Sequence, residues 1–138
     1  MEIDVRGPRF GAALTTVVLM ITLVTGNGWL LAAQAVFFAV GAAAGAQNSP
    51  WGWLFRTVVR PRLGPPPATE DAAPPQFAQA VGLVFTLVGV VGYLVGPQWL
   101  GTVATAFALA AAFLNAAFAF CLGCQMYLLI KRATTAHA

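Results

Sequence analysis

Two cysteines, Cys121 and Cys124, stand in the stretch FAFCLGCQMYLLIKR. Residues of this type at this spacing have three uses. A dithiol can pass electrons or sulfur to a partner thiol, two thiolates can supply half of a tetrahedral zinc site, and two small residues can simply pack. Positions three apart are neighbours on a helix surface, so both sulfurs could meet one partner or close a disulfide with local distortion. Zinc needs four ligands, typically Cys and His. The sole histidine is His137 in the tail, so a metal site would need a second chain, and neither metal nor cofactor is assigned to this one.

Thiol exchange depends on the thiolate, which helix N-termini favour. The pair follows a long apolar run. On a continuous helix it closes that helix, and the dipole then opposes the thiolate. A break at Gly123 would reverse this by offering backbone N–H groups to Cys124. Lys131 and Arg132 lie about 10 Å beyond Cys124 on a helix, too far for a strong effect. A reducing cytoplasm makes a structural disulfide unexpected there. Cys121 and Cys124 therefore stand as candidate exchanging groups, with inert packing and a shared metal site as open alternatives.

The surroundings of the pair follow from composition. The chain has 138 residues, 59% hydrophobic and 8% charged. Soluble domains carry about 25% charged residues, so the solvent for this surface is largely lipid. One domain covers residues 1–138. The net charge of +3 gives no nucleic-acid surface, and two cysteines in one motif give no disulfide framework.

A membrane span needs about 20 mostly apolar residues. Four candidates occur, at about 10–25, 29–46, 77–95 and 99–121. Gly26-Asn27-Gly28 and Gly96-Pro97-Gln98 provide tight turns, and residues 47–76 form a polar, proline-rich loop. The fold expected is an all-α, four-transmembrane-helix bundle made of two helical hairpins. A signal peptide over 10–25, cleaved after Ala33-Gln34-Ala35, is the rival reading; those small residues lie too deep inside a second apolar stretch.

All seven basic residues fall at the termini or in the middle loop, and the two tight turns carry none. Cytoplasmic loops collect Lys and Arg, so both termini are expected in the cytoplasm. Trp29 and Trp99 then mark the opposite interface. The hairpins also resemble each other. PRFGAAL at 8–14 aligns with PQFAQAV at 75–81, and GNGWL at 26–30 aligns with GPQWL at 96–100. A parallel duplication is expected, related by a pseudo-two-fold along the membrane normal.

Within the spans, Gly41 with Gly45 and Gly92 with Gly96 form G-x-x-x-G pairs, which let helices approach closely. They are assigned to packing, and homo-oligomerisation stays open. Asn115, a strongly polar group deep in the fourth span, is expected to bond a neighbouring helix.

In the middle loop, Trp51, Trp53, Arg56, Arg60 and Arg62 are candidate contacts to lipid headgroups or a partner. Arg56 and Arg60 would share one face of a short interfacial helix; an irregular loop anchored by tryptophans is the alternative. The prolines from Pro61 to Pro75 argue against regular structure beyond it.

No charge occurs from Leu100 to Ile130, a stretch of about 46 Å as helix against a hydrocarbon core of about 30 Å. Either Cys121 lies deep below Lys131, or the span ends near Phe120 and the pair emerges at the cytoplasmic edge. The internal alignment favours the second register.

FRTVVRPRLGPP, PPQFAQAVGLVF and ALAAAFLNAAFAFCLGCQMYLL together resemble the bacterial integral-membrane family called domain of unknown function 4395. The resemblance covers about Asp4 to Ile130. Gln76 departs from it, standing where a basic residue is expected. The resemblance implies a small multi-span protein of the bacterial inner membrane, with no settled activity, in the company of thioredoxin-like and sulfurtransferase proteins. The function expected is a membrane thiol or sulfur relay with such a cytosolic partner. The alternatives are a structural or assembly subunit of a membrane complex, or a small transporter for a sulfur compound or metal. No acid–base pair, phosphate loop or nucleophile–histidine arrangement suggests an enzyme acting on its own.

Overall fold

A computed structural model describes residues 2–66 and 68–136, so His137 lies outside the described residues. The chain opens with strand β1 (Glu2–Asp4) and turns into helix α1 (Arg6–Thr25). Gly26, at φ 66°, ends α1 in the left-handed region, which glycine enters without a Cβ penalty. Asn27 then caps helix α2 (Gly28–Ala44), its side chain accepting from the Trp29 and Leu30 N–H groups. A 3-10 turn at Ala46–Asn48 leads to helix α3 (Pro50–Leu54), a π-helical turn at Phe55–Val59 and helix α4 (Arg60–Leu63). Strand β2 (Thr69–Asp71) returns to pair antiparallel with β1. Helices α5 (Ala73–Leu94), α6 (Gln98–Phe118) and α7 (Leu122–Ala136) complete the chain.

The protein is all-helical apart from that strand pair. Helices α1, α5 and α6 are long and apolar enough to cross a membrane, and α2 is a shorter apolar helix of 17 residues. Helices of this length and composition are compatible with a helical membrane bundle. Their outward faces carry Val24, Val36, Val84, Val91 and Phe107, all exposed.

The interior is made by small residues. Helix α5 lies against α2 and α6, and α1 lies against α6. At Gly92 a Cβ would run into the backbone of Gly101, and at Gly89 it would sit 2.6 Å from a Leu31 methyl. Leu19 and Leu31 are fully buried in the core. Thr16, Thr22 and Thr86 return their hydroxyls to carbonyls one turn back, which pairs each polar group within its own helix.

Two expectations about packing change. Gly41 and Gly92 do face neighbouring helices, but Gly45 and Gly96 do not. Gly45 ends α2 at φ 100°, and Gly96 donates its N–H to the Val91 carbonyl beyond the end of α5. The proline-rich segment is more regular than its composition suggested. Pro61 lies in α4 directly after the π-helical turn, and Pro74 and Pro75 lie in the first turn of α5, where a missing N–H costs nothing. Thr69–Asp71 is held as a strand by β1. The long apolar run to Ile130 is two helices. Helix α6 ends at Phe118, with Ala119 at φ 55°, close to the end near Phe120 that the internal alignment favours.

Candidate functional site

The break between α6 and α7 makes the site. Because the chain stops being helical at Ala119 and resumes at Leu122, the cysteines open α7; they do not close α6. The Cys121 Sγ accepts the Cys124 backbone N–H at 3.1 Å, and the Cys121 carbonyl accepts the Gln125 N–H. Cys121 is thus the N-cap of a 15-residue helix. The helix dipole there favours negative charge on sulfur, the reverse of the sequence expectation.

Cys121 and Cys124 are joined in a disulfide with Cα atoms 5.1 Å apart. The free dithiol expected of a reducing compartment is replaced by the oxidised form. Both residues are half-buried. Gly123 between them packs against α5, where a Cβ would lie 2.6 Å from that of Ala78. Tyr127, one turn on, stacks against Phe77 with ring centroids 5.8 Å apart. These two contacts fix the start of α7 against the start of α5.

A cavity of about 250 Å³ lies beside the disulfide, between α1, α5 and α6. Cys121 forms part of its wall and Cys124 does not. The wall is apolar except for a few groups, chiefly Thr15, Gln79 and Asn115. Asn115, expected to bond a neighbouring helix, instead faces this space. Its backbone carbonyl accepts the Ala119 N–H that ends α6.

The other expected site residues lie in the segment after α2. Trp51 turns inward, donating its indole N–H to Gln34 and packing edge-on against Phe37. Gln34 is buried and donates in turn to Thr15. Trp53 is 57% exposed, and Arg56 and Arg62 are exposed too. Arg60 approaches Asp4 at 4.0 Å. Sequence reasoning passed over Asp4, Arg6 and Arg9. Asp4 is buried and ion-paired with Arg6 at 2.8 Å; the hydrogen bond from the Arg6 side chain holds its carboxyl below the usual range. Arg9 reaches from α1 to the Ala116 carbonyl at the end of α6, where a cation suits the helix dipole. A lone Gln34 in an apolar span was a readable signal for the buried Thr15–Gln34–Trp51 chain. The approach of Arg60 to Asp4 had none, because Arg60 lies far along the chain. Among the described residues no cluster of His, Cys, Asp and Glu could hold a metal ion.

These features define an all-helical protein, with helices long and apolar enough to cross a membrane and a disulfide at a helix start beside an inter-helix cavity. The chain belongs to the family of domain of unknown function DUF4395, whose model matches residues 3–132. No curated protein and no solved structure matches it.

Proposed function

We propose that this chain is a multi-pass protein of the bacterial cytoplasmic membrane that relays redox equivalents or sulfur through Cys121 and Cys124. The observation that carries the reading is the place of Cys121. It caps α7, takes a hydrogen bond from Cys124 and is half-exposed beside its partner sulfur. A partner dithiol attacks the Cys121–Cys124 bond, one thiolate leaves, and the mixed disulfide resolves on the partner's second thiol. The partner is a thioredoxin-like protein or a sulfurtransferase.

In the proposed orientation both termini, the segment 47–76 and α7 share the cytoplasmic side, with the basic residues. A disulfide facing that compartment is transient and catalytic more often than structural. Exposed Trp53, Arg56 and Arg62 would meet headgroups or the partner. The parallel duplication belongs to the same proposal. It is supported by the matched packing of α2 on α5 and α1 on α6.

The test is to trap the partner. In cells, Cys124→Ser should leave a mixed disulfide on Cys121, and mass spectrometry should find a thioredoxin-like protein or sulfurtransferase attached. The double Cys→Ser variant should trap nothing. No adduct in the single variant, with full function in the double one, would reject the relay.

A further inference from the structure

The cavity beside Cys121 asks what reaches it. It is enclosed by helices that face lipid, and its wall is apolar. Two amides interrupt that wall, Gln79 on α5 and Asn115 on α6. Neither side chain makes a hydrogen bond among the described residues. Half-buried amides without protein partners are free to pair with water or a ligand. The volume of about 250 Å³ falls just under the range of about 300–1,000 Å³ typical of drug-sized sites. It fits a single ring system, with any tail left in the bilayer. Cys121 is the cysteine on this wall, and its disulfide partner Cys124 is not part of it.

Resting on the relay reading, we infer that this cavity seats the ring of a lipid-soluble quinone, the oxidant that remakes the disulfide after each exchange. A quinone matches each feature of the site. It dissolves in the membrane, its ring is flat and apolar, and its two carbonyls accept hydrogen bonds from the Gln79 and Asn115 amides. It also takes two electrons, the number released when a dithiol closes.

The step balances. The Cys121 thiolate adds to a ring carbon of the quinone and forms a carbon–sulfur bond. The Cys124 thiolate then attacks the Cys121 Sγ. The sulfur–sulfur bond forms, the carbon–sulfur bond breaks, and its electron pair stays on the ring. The two protons of the former thiols end on the two oxygens, giving quinol. The asymmetry of the site assigns the roles: the cysteine on the cavity wall meets the ring, and its disulfide partner resolves the adduct.

The experiment uses the whole protein in lipid nanodiscs, reduced with a soluble dithiol, freed of excess reagent and mixed with a short-chain benzoquinone. The expected result is one quinone consumed per cysteine pair, with loss of both free thiols. Ala111→Phe, which fills the cavity from α6, should slow quinone reduction about tenfold or more while the disulfide still exchanges with soluble dithiol at the wild-type rate. That exchange also shows that the variant is folded. Asn115→Leu keeps the volume and removes the amide; it should raise the KM for quinone about fivefold, the effect of one lost hydrogen bond. Normal dithiol exchange without quinone reduction would overturn this inference and leave the relay standing. Equal quinone rates in wild type and Ala111→Phe would place the reaction outside the cavity and overturn it too. A disulfide inert to dithiol would remove both readings.

Discussion

The helix start at Ser49 and the helix start at Cys121 are built alike. Ser49 Oγ accepts the Gly52 N–H at 3.2 Å, and Cys121 Sγ accepts the Cys124 N–H at 3.1 Å. The Ser49 carbonyl receives Trp53, and the Cys121 carbonyl receives Gln125. Two turns on, Phe55 meets Phe10 at 5.7 Å between centroids, and Tyr127 meets Phe77 at 5.8 Å. Phe10 and Phe77 hold matching places in the alignment of PRFGAAL with PQFAQAV. Only the chemistry differs: a hydroxyl and a glycine on one side, two sulfurs on the other. The cysteine pair thus occupies a position whose first duty is capping. A cap already aims a side-chain atom at the N–H three residues on. A second thiol at that third residue brings the two sulfurs within bonding reach.

The sharpest way to break the comparison is to move the chemistry across. Ser49→Cys with Gly52→Cys writes the C-x-x-C into the first hairpin. Gly52 has no room for it, because a Cβ there would run into the Ala46 carbonyl oxygen and lie 2.8 Å from the Gln47 carbonyl carbon. The double variant should lose about 3 kcal/mol of stability, read as a fall in the thermal midpoint in detergent. It should form no second disulfide. A stable variant with two disulfides would show that the two starts are interchangeable and that Gly52 is not what separates them.

How much of this was legible in the sequence depends on range. The four apolar helices and the Gly26–Asn27 turn were readable, because span length and turn residues are local signals. Cys121 and Cys124 were readable as a pair, but their direction on the helix was not. No proline or glycine marks Ala119, so the end of α6 was legible only through the excess length of the apolar run and the internal alignment, and the restart of the helix at Leu122 was not. The left-handed φ of 55° at Ala119 is carried by a residue that seldom adopts it. The same limit applied to Thr69–Asp71, whose strand exists only because β1 comes to pair with it across the whole first hairpin. The cavity depends on how four helices meet, which no single segment encodes.

A milder test compares the two caps directly. Ser49→Ala removes the acceptor for the Gly52 N–H and should cost about 1 kcal/mol. Cys121→Ser keeps an acceptor of similar reach, so α7 should hold its start while thiol exchange stops. Amide hydrogen exchange at Gly52 and Cys124 reads the local effect. Equal loosening of α7 by Cys121→Ser and Cys121→Ala would mean that the sulfur does not cap, and that the disulfide alone fixes the turn.

The smallest effect concerns the one device the second hairpin lacks. The segment after α2 is tied down by the strand pair and by Asp4, which holds Arg6 and approaches Arg60; α7 has no such strap. Two carboxyls there respond to pH in opposite senses. Asp4 is lowered from 3.8 by its Arg6 hydrogen bond, so its contribution is present above that value and lost as pH falls below it. Glu70 is raised from 4.5, first by burial and then by the charge of Glu2. Its contribution is complete below 4.5 and lost as pH rises through its higher folded value. The strap should therefore be tightest at mildly acidic pH, between the two, and should loosen slightly on either side. Hydrogen exchange at Ile3 and Glu70 against pH, corrected for intrinsic rates, should show that optimum, while α7 amides show none. Glu70→Gln should remove the loss on the alkaline side and leave the acidic one. An identical pH response in α7 would mean that the titration acts on the whole bundle and not on the strap.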